Sequence, residues 1–205
     1  MFVITTDQID SQHSDDAVST AVTEIERRWG DRLPRRPERT AGDEFQLIAP
    51  DGDSAMRIML HLNRSGTWSI GTGVGSVRTP MPDSIRAGAG DAFVGARSAV
   101  ERAKKKSSHC AIDAPGHDER AAHIESLVDL LLATRSRRSA EGWELFDLLE
   151  TGMTQGAAAS SLGISPQAVS LRAQAADLKL EAAVTVAIGS LLDEFNDTTD
   201  GSETE

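Results

Sequence analysis

The chain has 205 residues, enough for one large domain or two small ones. Its formal charge of -11 argues against a simple nucleic-acid coat, and its single cysteine, Cys110, excludes an intrachain disulfide or a cysteine-based metal site. No apolar run is long enough to span a bilayer and the start lacks a signal-peptide pattern, so no membrane partner and a cytoplasmic location are the expectations.

The charge is uneven. Residues 1–115 hold 15 basic and 16 acidic side chains, whereas residues 116–205 hold 6 and 16. In the first half, Phe2 to Thr6 is β-rich and reads as a strand, followed by a polar loop through His13. Ser14 is suited to cap a helix with Asp15 and Asp16 in its first turn. Val18, Ala21, Val22, Ile25 and Trp29 share one face of that helix, and Gly30 and Pro34 end it. Residues 37–49 read as two strands folded back at Gly42-Asp43, with Gly42 supplying a positive φ or a close backbone approach. A helix from about Asp53 to Leu62 buries Ala55, Ile58, Met59 and Leu62. Trp68 to Val74 is the next strand, and its glycines predict close backbone approach or bulging. After a Pro/Gly-rich loop at 79–90, a helix from about Asp91 to Lys105 places Phe93, Ala96, Val100 and Ala103 on one face. Cys110 to Ile112 forms a last short strand, with Cys110 as a small core residue.

The order β-α-β-β-α-β, with one more helix and strand, is the signature of a ferredoxin-like α+β sheet. In that topology strand one is central and antiparallel to strand three. Asp7 then lies near Asp43 and Glu44 at one sheet edge. Three carboxylates there predict a seat for a hard cation, Mg²⁺ or Mn²⁺, shared with phosphates.

Arg39-Thr40-Ala41-Gly42-Asp43-Glu44-Phe45 resembles the signature turn of the GGDEF-type nucleotidyl cyclases, with Ala41 in place of the first glycine. The wider pattern resembles the bacterial SatD family: Thr6 to Ser11 at the end of strand one, the Gly42 to Gln46 turn, the glycines from Gly71 to Gly75 and the segment Gly90 to Arg97. The resemblance implies a palm-like domain in which Asp7, Asp43 and Glu44 hold metal. It further implies a nucleotide near Asp10, Ser11, Arg39 and Gly42, and a C-terminal helix-turn-helix. The Phe-Lys-x-x-Asn segment of diguanylate cyclases is absent after Asp10. Binding without turnover is therefore the expectation, and a divalent-metal-dependent nucleotidyl cyclase or transferase the alternative. The Lys104-Lys105-Lys106 run reads as a solvated helix terminus or a phosphate contact.

In the second half, Asp118 to Thr134 is helical and is closed by Arg135, Arg137 and Arg138. Ser139 caps the next helix, which presents Trp143, Leu145, Phe146, Leu148 and Leu149 and stops at Gly152. Thr154 caps an Ala-rich helix over Gln155 to Leu162. Gly163 makes a turn, Ser165 caps the following helix, and Pro166 takes its first position, with that helix running to Leu178. With Ile164 and Val169 as plugs, this stretch resembles helix-turn-helix DNA-binding domains over residues 154–178. Thr154, Gln155, Ser165, Gln167, Ser170, Arg172 and Gln174 are the candidate contacts to bases and phosphates. Residues 139–181 carry only Arg172 and Lys179 against six acidic side chains. Phosphate neutralisation then depends on Arg135–Arg138 and on the first half. Leu178 to Phe195 is a last helix whose wide apolar stripe suits a subunit interface. The tail from Asn196 is polar, and 197–205 is expected to be disordered.

The expected architecture is a palm-like domain over 1–115 and a helical domain over 118–196. The expected function is a homodimeric bacterial regulator that binds DNA and senses a nucleotide or metal. A non-catalytic protein-interaction adaptor is a further alternative.

Overall fold

The computed structural model describes residues 1–11 and 16–200. The architecture is mixed α+β, with one five-stranded sheet and, among the described residues, eight α-helices. The chain divides into two compact units: Met1–Asp129 together with the chain from Ala187 onward, and Leu130–Val186. The division expected at 115–118 falls inside the first unit. Helices α4 (Asp118–Arg135) and α8 (Leu178–Asp200) each contribute to both units. No helix among the described residues is long and apolar enough to cross a membrane.

In the first unit, strands β1 (Phe2–Gln8), β2 (Glu38–Ala41), β3 (Glu44–Ala49), β4 (Trp68–Val74) and β5 (Cys110–Asp113) are ordered β2-β3-β1-β4-β5. Strand β1 is central and antiparallel to both β3 and β4, while β5 runs parallel to β4. β1, β3 and β4 are buried almost throughout, so both sheet faces are covered. Helices α1 (Val18–Trp29) and α2 (Gly52–Arg64) pack on these strands. Helix α3 (Asp91–Ala103) lies on the face that carries Val3, Gly71 and Gly73.

That approach is close because β4 has glycines there. A Cβ on Gly73 would stand 1.9 Å from the Ala92 carbonyl oxygen, and one on Gly71 would stand 2.2 Å from the Val100 nitrogen. Phe93, Ala92 and Ala96 of α3 then close a core with Val3, Ile48 and Ile85. A second close approach joins α2 to α8. A Cβ on Gly52 would meet the Gly189 carbonyl oxygen at 2.0 Å, and the Gly52 amide donates to Asp193 Oδ1 at 2.7 Å.

Backbone groups on both edge strands are taken by side chains. On β5 the Ile112 amide donates to Glu125 Oε2 at 2.7 Å, and its carbonyl accepts from Arg102 Nη2 at 2.6 Å. On β2 the Arg39 carbonyl accepts from Arg86 Nε at 3.0 Å, and Glu38 Oε2 accepts from the Ile85 amide at 2.8 Å. These contacts occupy edge backbone groups at Ile112 and Arg39 that could otherwise pair with an added strand.

In the second unit, helices α5 (Ala140–Glu150), α6 (Gln155–Leu162) and α7 (Pro166–Ala175) pack on one another. Leu145, Ala158, Ala159 and Val169 form their core, flanked by Leu148, Leu149, Met153, Leu162 and Ile164. The caps are local and follow the sequence. Ser139, Thr154 and Ser165 accept from the amides of Gly142, Ala157 and Ala168, and Pro166 opens α7. Gly163 closes α6 in the left-handed region at φ 66°.

Several sequence expectations are corrected. Helix α1 starts at Val18 behind Ala17, which makes no side-chain cap, and Asp16 Oδ1 accepts from the Val18 amide. Ser14, Asp15 and His13 lie outside the described residues. Helix α7 stops at Ala175 because Asp177 turns at φ 53°, so it does not reach Leu178. Helix α8 continues through Asn196 to Asp200, where a disordered tail is expected from sequence; residues 201–205 lie outside the described range.

Candidate functional site

The acidic edge of the first unit is built by strand register. Asp7 of β1 lies opposite Glu44 of β3, and the Gln8 amide donates to the Asp43 carbonyl at 2.9 Å, which extends the same ladder past the turn. Strand alternation puts Val3, Thr5 and Asp7 on one face. Helix α3 covers that face, so Lys104 at its C-cap reaches Asp7 with Nζ 2.9 Å from Oδ2. Partial burial works against the ammonium, but Glu101 and Asp7 beside it hold the Lys104 pKa above the ordinary lysine value.

The other carboxylates have partners of their own. Ser11 Oγ donates to Asp43 Oδ2 at 2.6 Å, and Thr40 Oγ1 donates to Glu44. Arg39 spans the turn: Nε donates to the Gly42 carbonyl at 2.9 Å, and Nη2 pairs with Asp16 at 2.6 Å. That pairing holds the Asp16 carboxyl below the usual range. Asp10 follows β1 in the left-handed region at φ 54°.

Ser11, Arg39, Gly42 and Asp43 are thus brought together, and Asp7 and Glu44 are register neighbours. The three carboxylates do not form a ligand set. Among the described residues no three His, Cys, Asp or Glu side chains are grouped to hold a metal ion. As placed, the residues do not fit a shared Mg²⁺ or Mn²⁺, because Lys104 already neutralises Asp7. Gly42 is also corrected: it has no positive φ, and a Cβ there would meet nothing within 4 Å. The lysine run is likewise not a free terminus. Lys106 pairs with Glu125 at 2.5 Å and Asp129 at 2.8 Å.

Nearby, Cys110 is a core residue. Burial pushes its thiol up to about 12, with Asn63 Nδ2 donating to Sγ at 3.5 Å.

In the second unit, α7 turns one face into the core and one to solvent. Val169 is fully buried, whereas Gln167, Ser170, Leu171 and Gln174 are exposed. Their spacing of i, i+3, i+4 and i+7 makes one outward stripe. Ser165 and Thr154 spend hydroxyl acceptor capacity on their caps, and Gln155 is exposed at the start of α6. Arg172 lies off the stripe, with Nη1 donating to Glu144 at 3.0 Å. Leu171 is the residue that sequence reasoning missed. It is 66% exposed, and its signal was its place four residues after Gln167, on the face opposite Val169.

Basic charge is spent inside this unit. Arg135 and Arg138 are buried and both pair with Glu181. Their guanidinium carbons lie 4.9 and 4.4 Å from the Trp143 ring centroid. Gly142 makes room: a Cβ there would stand 2.8 Å from Cγ of Arg138. The Arg135–Arg138 cluster is therefore not a phosphate-facing patch, contrary to the sequence expectation; only Arg137 of that cluster is exposed. Between Thr154 and Ala176 the one charged side chain is Arg172.

Compared with protein-family models, with curated proteins and with solved structures, the chain matches none.

Proposed function

We propose that this chain is a bacterial DNA-binding regulator whose reading element is the segment from α6 through α7. The observation that carries the reading is the outward stripe Gln167, Ser170, Leu171 and Gln174, presented by a helix that starts at a capping serine just after a left-handed glycine turn. This supports reading the segment as a helix-turn-helix, a motif whose second helix enters the major groove by its N-terminal residues. The segment bears no acidic side chain that would repel phosphates. Leu130, Leu180 and Val186 leave exposed apolar side chains on α4 and α8 of the same unit. These suit coverage by a second copy, and a cytoplasmic homodimer on paired half-sites follows from the reading.

On this reading the first unit is a ferredoxin-like, palm-type domain. Support comes from its strand order and from the β2–β3 turn that sets Asp43 and Glu44 beside the end of β1. Its role is to sense a nucleotide rather than to turn one over. Lys104 stands where a cation would have to meet Asp7, and it is suited to greet a phosphate instead.

Fluorescence anisotropy of genomic duplexes at low salt tests the reading. The full chain binds with a preference among fragments, and Ser170→Glu, which puts an anion on the stripe, abolishes the preference. Equal, weak binding by both proteins would reject it.

A second reading is a protein-interaction adaptor. The burial of Arg135 and Arg138 favours it, because it leaves this unit few exposed cations for phosphates. A chain that binds no duplex at low salt, with the stripe intact, would support that reading.

A further inference from the structure

We infer that the outward stripe of α7 reads A·T base pairs in the major groove, with Leu171 packing on a thymine methyl group; this rests on the DNA-binding reading of α6–α7. The stripe holds two glutamines, a serine and a leucine, all exposed, and no charged side chain. Each of these has a defined match at base edges. Glutamine donates to N7 and accepts from N6 of adenine as a bidentate pair, and an apolar side chain contacts the C5-methyl of thymine. Guanine is read by arginine or lysine and cytosine by a carboxylate. The stripe has none of these, and Arg172, the nearest candidate, is held by Glu144 at the side of the helix.

The exposure of Leu171 supplies the second half of the argument. A leucine that is 66% exposed in the middle of an otherwise polar stripe contributes nothing to the core cluster of this unit. Contact with a methyl group in a groove would remove its apolar surface from water. From Gln167 to Gln174 the helix rises about 10 Å, which matches about three stacked base pairs. Gln167 and Gln174 then mark the ends of a short A·T core, with Leu171 over a thymine between them.

Selection of bound duplexes from a random library, using the full chain at low salt, tests this inference. The expected result is an enriched core of about three consecutive A·T pairs. In that selected site, replacing the central thymine by uracil removes only the methyl group. It should weaken binding by the wild-type chain about fivefold, and leave binding by Leu171→Ala unchanged. Leu171 is exposed, so the alanine variant keeps the fold, which circular dichroism confirms alongside. An enriched core of G·C pairs, or a uracil substitution that weakens both proteins equally, would overturn the A·T assignment while leaving DNA binding in place. Recovery of no sequence at all would overturn the DNA-binding reading itself.

Discussion

Lys104 and Asp7 meet at the end of the central strand, with 2.9 Å between Nζ and Oδ2. The ammonium fills the position that a divalent cation would need beside this carboxylate. Lys104→Ala should therefore raise Mn²⁺ affinity roughly tenfold, the scale of about 1.4 kcal/mol of relieved competition. Adding Asp7→Asn to that variant should remove the gain. A Mn²⁺ titration followed by electron paramagnetic resonance reads both; identical titrations of all three proteins would count against any cation seat here.

Glycine replacements separate the packing glycines from the turn glycine. Gly73→Ala would drive a methyl group to 1.9 Å from the Ala92 carbonyl, so α3 could not stay on the sheet. A loss of more than about 3 kcal/mol, or failure to fold, is expected. Gly42→Ala meets nothing within 4 Å and needs no left-handed backbone. Its effect should stay within about 0.5 kcal/mol in urea denaturation.

Two arginines share one buried carboxylate in the second unit, so Glu181→Gln removes the negative charge that both guanidiniums pair with there. The expected cost is about 3 kcal/mol or more. Amide hydrogen exchange across α5 to α7 should accelerate accordingly, while exchange in the sheet of the first unit stays as in wild type. Unchanged protection in α5 would show that the triad is not what holds this unit together.

Glu125 ties β5 to α3 and α4. Burial alone would raise its carboxyl, but the Lys106 ammonium, the Ile112 amide and Arg102 together hold its pKa below the ordinary value of 4.5. A group depressed in the folded state contributes stability above its unfolded pKa and loses it as pH falls through the folded value. Wild type should therefore lose stability as pH falls below the ordinary carboxyl value of 4.5 and through the lowered folded-state value, and Glu125→Gln should be less stable at neutral pH with a flatter acid limb. Urea midpoints measured across that range check the sign.

Local chemistry was readable from the sequence. The caps at Ser139, Thr154 and Ser165 need only residues three positions away, and each forms as expected. The glycines of β4 pointed to a close backbone approach or a bulge, and the structure shows the former, against α3; the antiparallel pairing that brings Asp7 near Glu44 followed from the order of elements. What the sequence concealed was long-range pairing. Lys104 reaches Asp7 from a different element, and Arg135 and Arg138 turn inward onto Glu181 and Trp143 in helices folded against them. A basic run looks solvated until its counter-ion is placed. Gly42 was overread for a related reason: glycine in a turn suggests a special backbone, but here the backbone is ordinary. Leu171 was passed over because a leucine in an amphipathic helix reads as core until the opposite face is seen to be filled by Val169.

The central claim is that α6 and α7 are the DNA-reading element. Its most direct measurement is an amide chemical-shift map of the isotopically labelled full chain, titrated at low salt with a genomic duplex that it retains. The account predicts that shifts concentrate between Thr154 and Gln174 and are largest on Gln167, Ser170 and Leu171. Shifts confined to the sheet unit, with the amides of α7 unmoved at saturation, would contradict it.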